Sequence, residues 1–249
     1  MKYILIAFAF ISCQGIIPKA KELSIANEVL DTIQSVPAKV VATPMIFETA
    51  FIKGTKEKGK NSTIELYGIT IGNLKVTSGR IIACDPLHVE EYGIPYTYVF
   101  PIGEFPVQLA IAKVEDVEMT AFCRIFFSEE PVVKWEMALQ QGQAPLPLGG
   151  DKIHGYGVDG GMGVLMDEDA SKVIDKDGLM NDDAPLYTEM DKHYHDTWKY
   201  AMYNVGQYNV AAFTTGFGDG RYASYIGFDA NGKPCRLLTD FGLFVWRNK

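Results

Sequence analysis

Four aspartates stand where the chain turns. Asp85 ends the run Arg80-Ile81-Ile82-Ala83-Cys84, and Asp240 ends the run Cys235 to Thr239. Asp159 sits among five glycines between 155 and 163, and Asp219 is flanked by Gly218 and Gly220. Carboxylates at strand ends have two uses. They shape turns by accepting bonds from nearby backbone, or several converge on a divalent ion that activates water. In the second case Asp85, Asp159, Asp219 and Asp240 are the ligands of a metal-dependent hydrolase. Arg80 or Arg236 would then hold an anionic substrate group with its guanidinium fork. No organic cofactor is indicated; calcium or magnesium is the cofactor this pattern admits.

Other chemistry-bearing patterns fail on context. Gly155-Tyr156-Gly157-Val158-Asp159-Gly160 spells G-x-G-x-x-G, but a proline- and glycine-rich stretch precedes it and an apolar, strand-like run follows. A dinucleotide site needs a buried strand before and a helix after. Asp175-Lys176-Asp177-Gly178 resembles a calcium loop, yet Ala184 stands where an EF-hand needs glutamate. The four histidines are His88, His154, His193 and His195. On a helix, Glu189/His193 and Asp191/His195 would pair; on a strand, the two histidines would share a face. His88 or His154 could meet Cys84 or Ser128 only through the fold.

The chain has 249 residues and a net charge of −8, which argues against nucleic acid, a partner that demands a basic footprint. Residues 167–191 hold nine acids and two bases, so seven of the eight net charges fall there. Such a run is either a solvated excursion or a dock for a basic partner.

The start, MKYILIAFAFISC, places Lys2 before an apolar run from Tyr3 to Ile11. That run is too short for a bilayer, which takes about 20 residues, and suits a signal-peptide core. Its end, Phe10-Ile11-Ser12-Cys13, resembles the lipobox of bacterial lipoproteins. The expectation is therefore a signal segment over 1–13, lipidation at Cys13, and export to the cell envelope, with membrane contact only through that lipid. Cys84, Cys123 and Cys235 form no C-x-x-C pair; they read as buried small hydrophobes, with at most one disulfide among them.

Several elements must position these residues. Leu23, Ala26, Leu30 and Ile33 predict a helix over 20–35, in an N-terminal extension spanning 14–60. Residues 53–62 read as a basic loop. From 61 to 249 short apolar runs dominate: 64–76, 107–111, 119–127, 132–139, 210–215, 222–228 and 235–238, with Gly68 and Gly72 as bulges. Asn231-Gly232 predicts a hairpin, and 241–246 a last strand. Helices are expected over 168–176, capped by Asp167, and over 187–203. The fold class is mainly β (α+β): one domain of two packed, mostly antiparallel sheets with two or three helices.

Ser78-Gly79-Arg80, Cys84-Asp85-Pro86, Phe100-Pro101-Ile102-Gly103, Trp135-Glu136-Met137-Ala138, Gly155 to Gly160, Gly218-Asp219-Gly220 and Leu238-Thr239-Asp240-Phe241 follow one another in order. On these pieces the chain from residue 78 onward resembles the bacterial domain-of-unknown-function family 4241. The resemblance implies one domain and no established activity. Two functions compete at this point. One is an exported binding protein with an unknown protein or small-molecule partner, using the acidic segment as its dock. The other is the aspartate-cluster hydrolase.

Overall fold

A computed structural model describes residues 44–59, 62–181 and 183–247. The signal-like segment, Cys13 and the helix expected over 20–35 lie outside the described residues. The expected class holds: the described chain is one domain of two packed antiparallel sheets.

The first sheet contains β1 (Thr55–Lys58), β2 (Thr63–Val76), β4 (Gly103–Val114), β5 (Val117–Phe126), β6 (Lys134–Met137), β7 (Tyr156–Val158), β12 (Gly220–Phe228) and β13 (Pro234–Asp240). Its order is β1-β2-β4-β5-β13-β12-β6, with β7 also on β12. The second sheet contains β3 (Ile81–Cys84), β8 (Met162–Asp167), β9 (Tyr194–His195), β10 (Trp198–Val205) and β11 (Tyr208–Thr214), in the order β3-β8-β11-β10-β9.

The unbroken apolar runs have a simple cause: the second sheet is covered on both faces. Side chains alternate along a strand, so Ile81, Ala83, Leu165, Ala211 and Phe213 face the first sheet. Ile82, Cys84, Val164, Met166, Val210 and Ala212 face outward into a second core. That core is closed by α2 (Val89–Tyr92), α3 (Glu168–Ser171) and α4 (Pro185–Asp191), through Val89, Ala170, Leu186 and Met190. The far face of the first sheet is covered by α1 (Ile46–Thr49) and the C-terminal segment. Phe47 is fully buried there and packs 4.6 Å from Trp246 and 5.0 Å from Tyr225, centroid to centroid.

Several sequence expectations are corrected. Residues 187–203 are not one helix: α4 ends at Asp191 and the chain turns back as the β9–β10 hairpin, pairing His195 with Trp198. Trp198 and Tyr200 follow a two-residue strand period that the three- and four-residue spacing of Met190, Tyr194 and Trp198 concealed. The helix expected over 168–176 is a single turn, capped as predicted by the Asp167 carboxylate on the Asp169 N–H. Four short α-helices occur among the described residues. The basic stretch 53–62 contains β1, whose charged run Lys56-Glu57-Lys58 suits a sheet edge. The β domain therefore begins before residue 61. Gly72 does bulge, but Gly68 keeps register, and a Cβ there would stand 2.4 Å from the Phe51 carbonyl. The β12–β13 hairpin forms with a longer turn, Asp229 to Lys233. Residues 241–246 form no strand. The described cysteines, Cys84, Cys123 and Cys235, are all buried and free.

One carboxylate joins the sheets where β2 ends. Asp167 is fully buried. Its Oδ2 accepts from the Thr77 and Ser78 N–H groups, and its Oδ1 from the Thr77 hydroxyl and the Asp169 N–H. An amide in its place must aim an NH2 at backbone donors whichever way it is turned. Asp167→Asn is therefore expected to cost about 2–4 kcal/mol of stability, the range for breaking a buried charge-assisted network. Urea denaturation measures this, and a loss below about 1 kcal/mol contradicts it.

Candidate functional site

Three turns meet at one end of the sandwich: the β7–β8 turn at 159–161, the β11–β12 turn at 215–219, and the 3-10 turn Pro86–His88 after β3. Asp85 governs the first of them. It is 1% exposed; its Oδ1 accepts from the Leu87 N–H at 2.8 Å and its Oδ2 from the N–H groups of Asp159 and Gly160 at 2.7 and 2.9 Å. The Asp219 Oδ1 accepts from the Gly161 N–H at 3.1 Å, and the Gly161 carbonyl accepts from the Thr215 N–H. These bonds draw the two glycine turns together backbone to backbone. Gly161 (φ +64°) and Gly218 (φ +99°) lie so close that a Cβ on Gly161 would sit 3.5 Å from the Gly218 Cα. Side chains rarely adopt either conformation.

The fold thus brings Asp85, Asp159 and Asp219 to one loop cluster and leaves Asp240 with other partners. Asp240 is buried and accepts from the Gly242 N–H, the Trp246 indole and Arg247. Among the described residues, no three His, Cys, Asp or Glu side chains gather where they could hold a metal ion. Arg80 pairs with Glu168 at 3.1 Å. Arg236 lies nearly buried beneath α1, where it and Arg124 share Glu48 at 3.2 Å each. Burial, set against the pull of Glu48, lowers Arg124 to about 10. His88 pairs with the exposed carboxylate of Asp159 at 3.2 Å, and the His154 ring meets the Ala144 carbonyl. Burial and, secondarily, the neighbouring Asp85 charge push the Cys84 thiol far above its usual range, which disfavours the thiolate.

The acidic segment is largely spent on the fold. Asp167 is buried, Glu168 pairs with Arg80, and Asp169 with Lys172. Asp175 accepts from the Gly178 N–H, Glu189 pairs with Lys192, and Asp191 with Lys199.

Beside the glycine turns lies a cleft of about 540 Å3. Gly160, Gly161, Gly216 and Gly218 line one side, and Tyr194, Asp196, Thr197, Trp198 and Lys199 of the β9–β10 hairpin the other; Val117, Met119, Met162, Thr214 and Phe217 complete it. The hairpin is stiffened by ring stacking. His195 lies 4.2 Å from Trp198 at 12°, and His193 4.7 Å from Tyr200 at 17°. The Trp198 indole donates to Glu118 Oε2, which also accepts from the Tyr67 hydroxyl. Burial and the Glu118 bond both raise Tyr67. Sequence reasoning missed this wall because it assigned the segment to a helix. The alternation His193/His195 against Trp198/Tyr200, around Asp196-Thr197, was the available signal.

The family described as "Protein of unknown function (DUF4241)" matches residues 74–239. No curated protein and no solved structure matches the chain.

The geometry assigns unequal weights to the aspartates. Asp85→Asn is expected to lower stability by about 2–4 kcal/mol, because an amide cannot accept from all three backbone donors. Asp219→Asn, exposed and with one such bond, is expected to cost under about 1 kcal/mol. Thermal unfolding of both variants checks this, and equal losses contradict it. A calcium- or magnesium-dependent rise in midpoint that Asp159→Asn abolishes would instead support the metal reading.

Proposed function

This chain belongs to the DUF4241 family, and we propose that it is a small-molecule-binding protein whose site is the cleft between the glycine turns and the β9–β10 hairpin. The observation that carries this reading is the cleft itself. Its volume of about 540 Å3 falls within the roughly 300–1,000 Å3 of ligand pockets. Its lining is mostly apolar, with a few polar groups on one hairpin, the composition that gives such pockets affinity and orientation. The glycine turns leave one side without side chains, so a ligand can approach backbone there.

Binding without turnover is the form this reading takes. Among the described lining residues there is no serine, cysteine or histidine, and the Asp219 carboxylate beside the cleft holds the Gly161 N–H. The acidic segment contributes the Asp191 partner of Lys199 rather than a separate dock. The N-terminal sequence supports a second part of the proposal: export, with the lipidated Cys13 as the anchor that would hold the cleft at the cell envelope.

Two experiments test these parts. Fragment screening by NMR is expected to shift resonances of residues 160–162, 194–199 and 214–218. Val117→Trp, which fills the cleft from a half-buried strand position, should weaken those fragments at least tenfold while leaving the fold intact. Fragments that bind the variant as well as the wild type, or that bind only elsewhere, refute the site. For the anchor, the full chain expressed in a bacterium should yield a mature protein beginning at a lipid-modified Cys13, read by mass spectrometry. An unmodified chain that keeps residues 1–12 refutes it.

A further inference from the structure

The charges around the cleft narrow its ligand, and this step rests on the binding reading above. The cleft has one lysine in its lining, Lys199, and its Nζ is already committed to Asp191 Oδ1 at 2.7 Å. Against it stand carboxylates on two sides, the hairpin tip and the glycine turns. Asp196 lines the cleft at the tip of the hairpin. Asp159 and Asp219 are exposed on the two glycine turns, each next to a lining glycine. Glu118, between Val117 and Met119, adds nothing to the rim: its carboxylate accepts from the Trp198 indole and the Tyr67 hydroxyl and lies 3.8 Å from Lys113. His88 pairs with Asp159 at this rim at 3.2 Å, which leaves Asp196 and Asp219 as the carboxylates that face the cleft without an ion-pair partner named among the described residues. The apolar walls, Met119, Met162, Trp198 and Phe217, supply contact for a flat body but nothing to neutralise a negative charge.

We infer that the cleft takes a small organic cation: a flat, largely apolar molecule bearing an amidinium, guanidinium or ammonium group. The apolar body would lie against Met162 and Phe217, and the cationic head would face Asp196 and Asp219. Three physical terms favour this class. An acidic rim raises the local concentration of cations. The Phe217 ring in the wall attracts cations through its quadrupole. An anion would lose its hydration without gaining a free positive partner, which excludes it more strongly than a neutral ligand.

The test uses three nearly isosteric probes: benzamidine as the cation, benzamide as the neutral form and benzoate as the anion. Each is titrated into the wild-type chain and followed by amide chemical shifts of the cleft residues. The expected result is that benzamidine binds at least tenfold more tightly than benzamide, and that benzoate produces no saturable shift. Asp196→Asn with Asp219→Asn should reduce the benzamidine preference to under threefold and leave benzamide unchanged. Benzamide binding as well as benzamidine, or benzoate binding best, overturns the inference while leaving the cleft a binding site. If none of the three shifts the cleft and Val117→Trp behaves as wild type, both the inference and the binding reading fail. If the double variant unfolds, Asp196→Asn alone, at an exposed hairpin tip, carries the same comparison.

Discussion

The fold depends on buried carboxylates that only accept. Asp85, Asp167 and Asp240 are each almost wholly out of water, and each collects three or four donors. A sandwich with both faces of one sheet covered must bury the segments that leave its strands, and backbone N–H groups stranded there cost as much as lost hydrogen bonds. A carboxylate answers several at once because it has about four acceptor positions and nothing to donate. Asp167 closes the exit of β2, Asp85 holds the β7–β8 turn, and Asp240 fixes the C-terminal segment over Phe47 and Tyr225. An anion so placed would be destabilising if it were unpartnered; here the donors offset its lost hydration.

This accounts for both the success and the limit of reading the aspartates from sequence. Their position at strand ends beside glycine was visible, and so was the choice between turn and metal. What the sequence could not display is how many donors each carboxylate meets, since those donors come from segments up to 90 residues away, as Thr77 does for Asp167. The β runs were legible because burial on both faces makes them continuous. The hairpin at 194–203 was not, because its aromatic residues satisfy a helical spacing and a strand spacing at once. Tertiary packing against α4 and β11 decides between the two, and packing is absent from a local pattern. The same misassignment hid the cleft, half of which is that hairpin.

The glycine turns show how structure and site share one device. Asp85 and Asp219 pull two positive-φ turns into contact, which seals that end of the sandwich. The same contact leaves a surface without side chains beside an aromatic hairpin. The stacking of His195 on Trp198 and of His193 on Tyr200 braces that hairpin, with Trp198 buried and the tip at Asp196 exposed. The cleft is thus shaped by the fold itself, so a ligand of the proposed kind would meet little ordering entropy.

The three buried cysteines carry a last consequence. Cys84, Cys123 and Cys235 are free, and burial is the main reason their thiols lie above the usual range. They are poor thiolates, and water-borne oxidants reach them only when the domain opens. Nothing in the described fold is cross-linked, so nothing in it is at risk from a reductant. The described domain keeps its shape by packing and hydrogen bonds alone, with no cross-link among Cys84, Cys123 and Cys235 for a reductant to open.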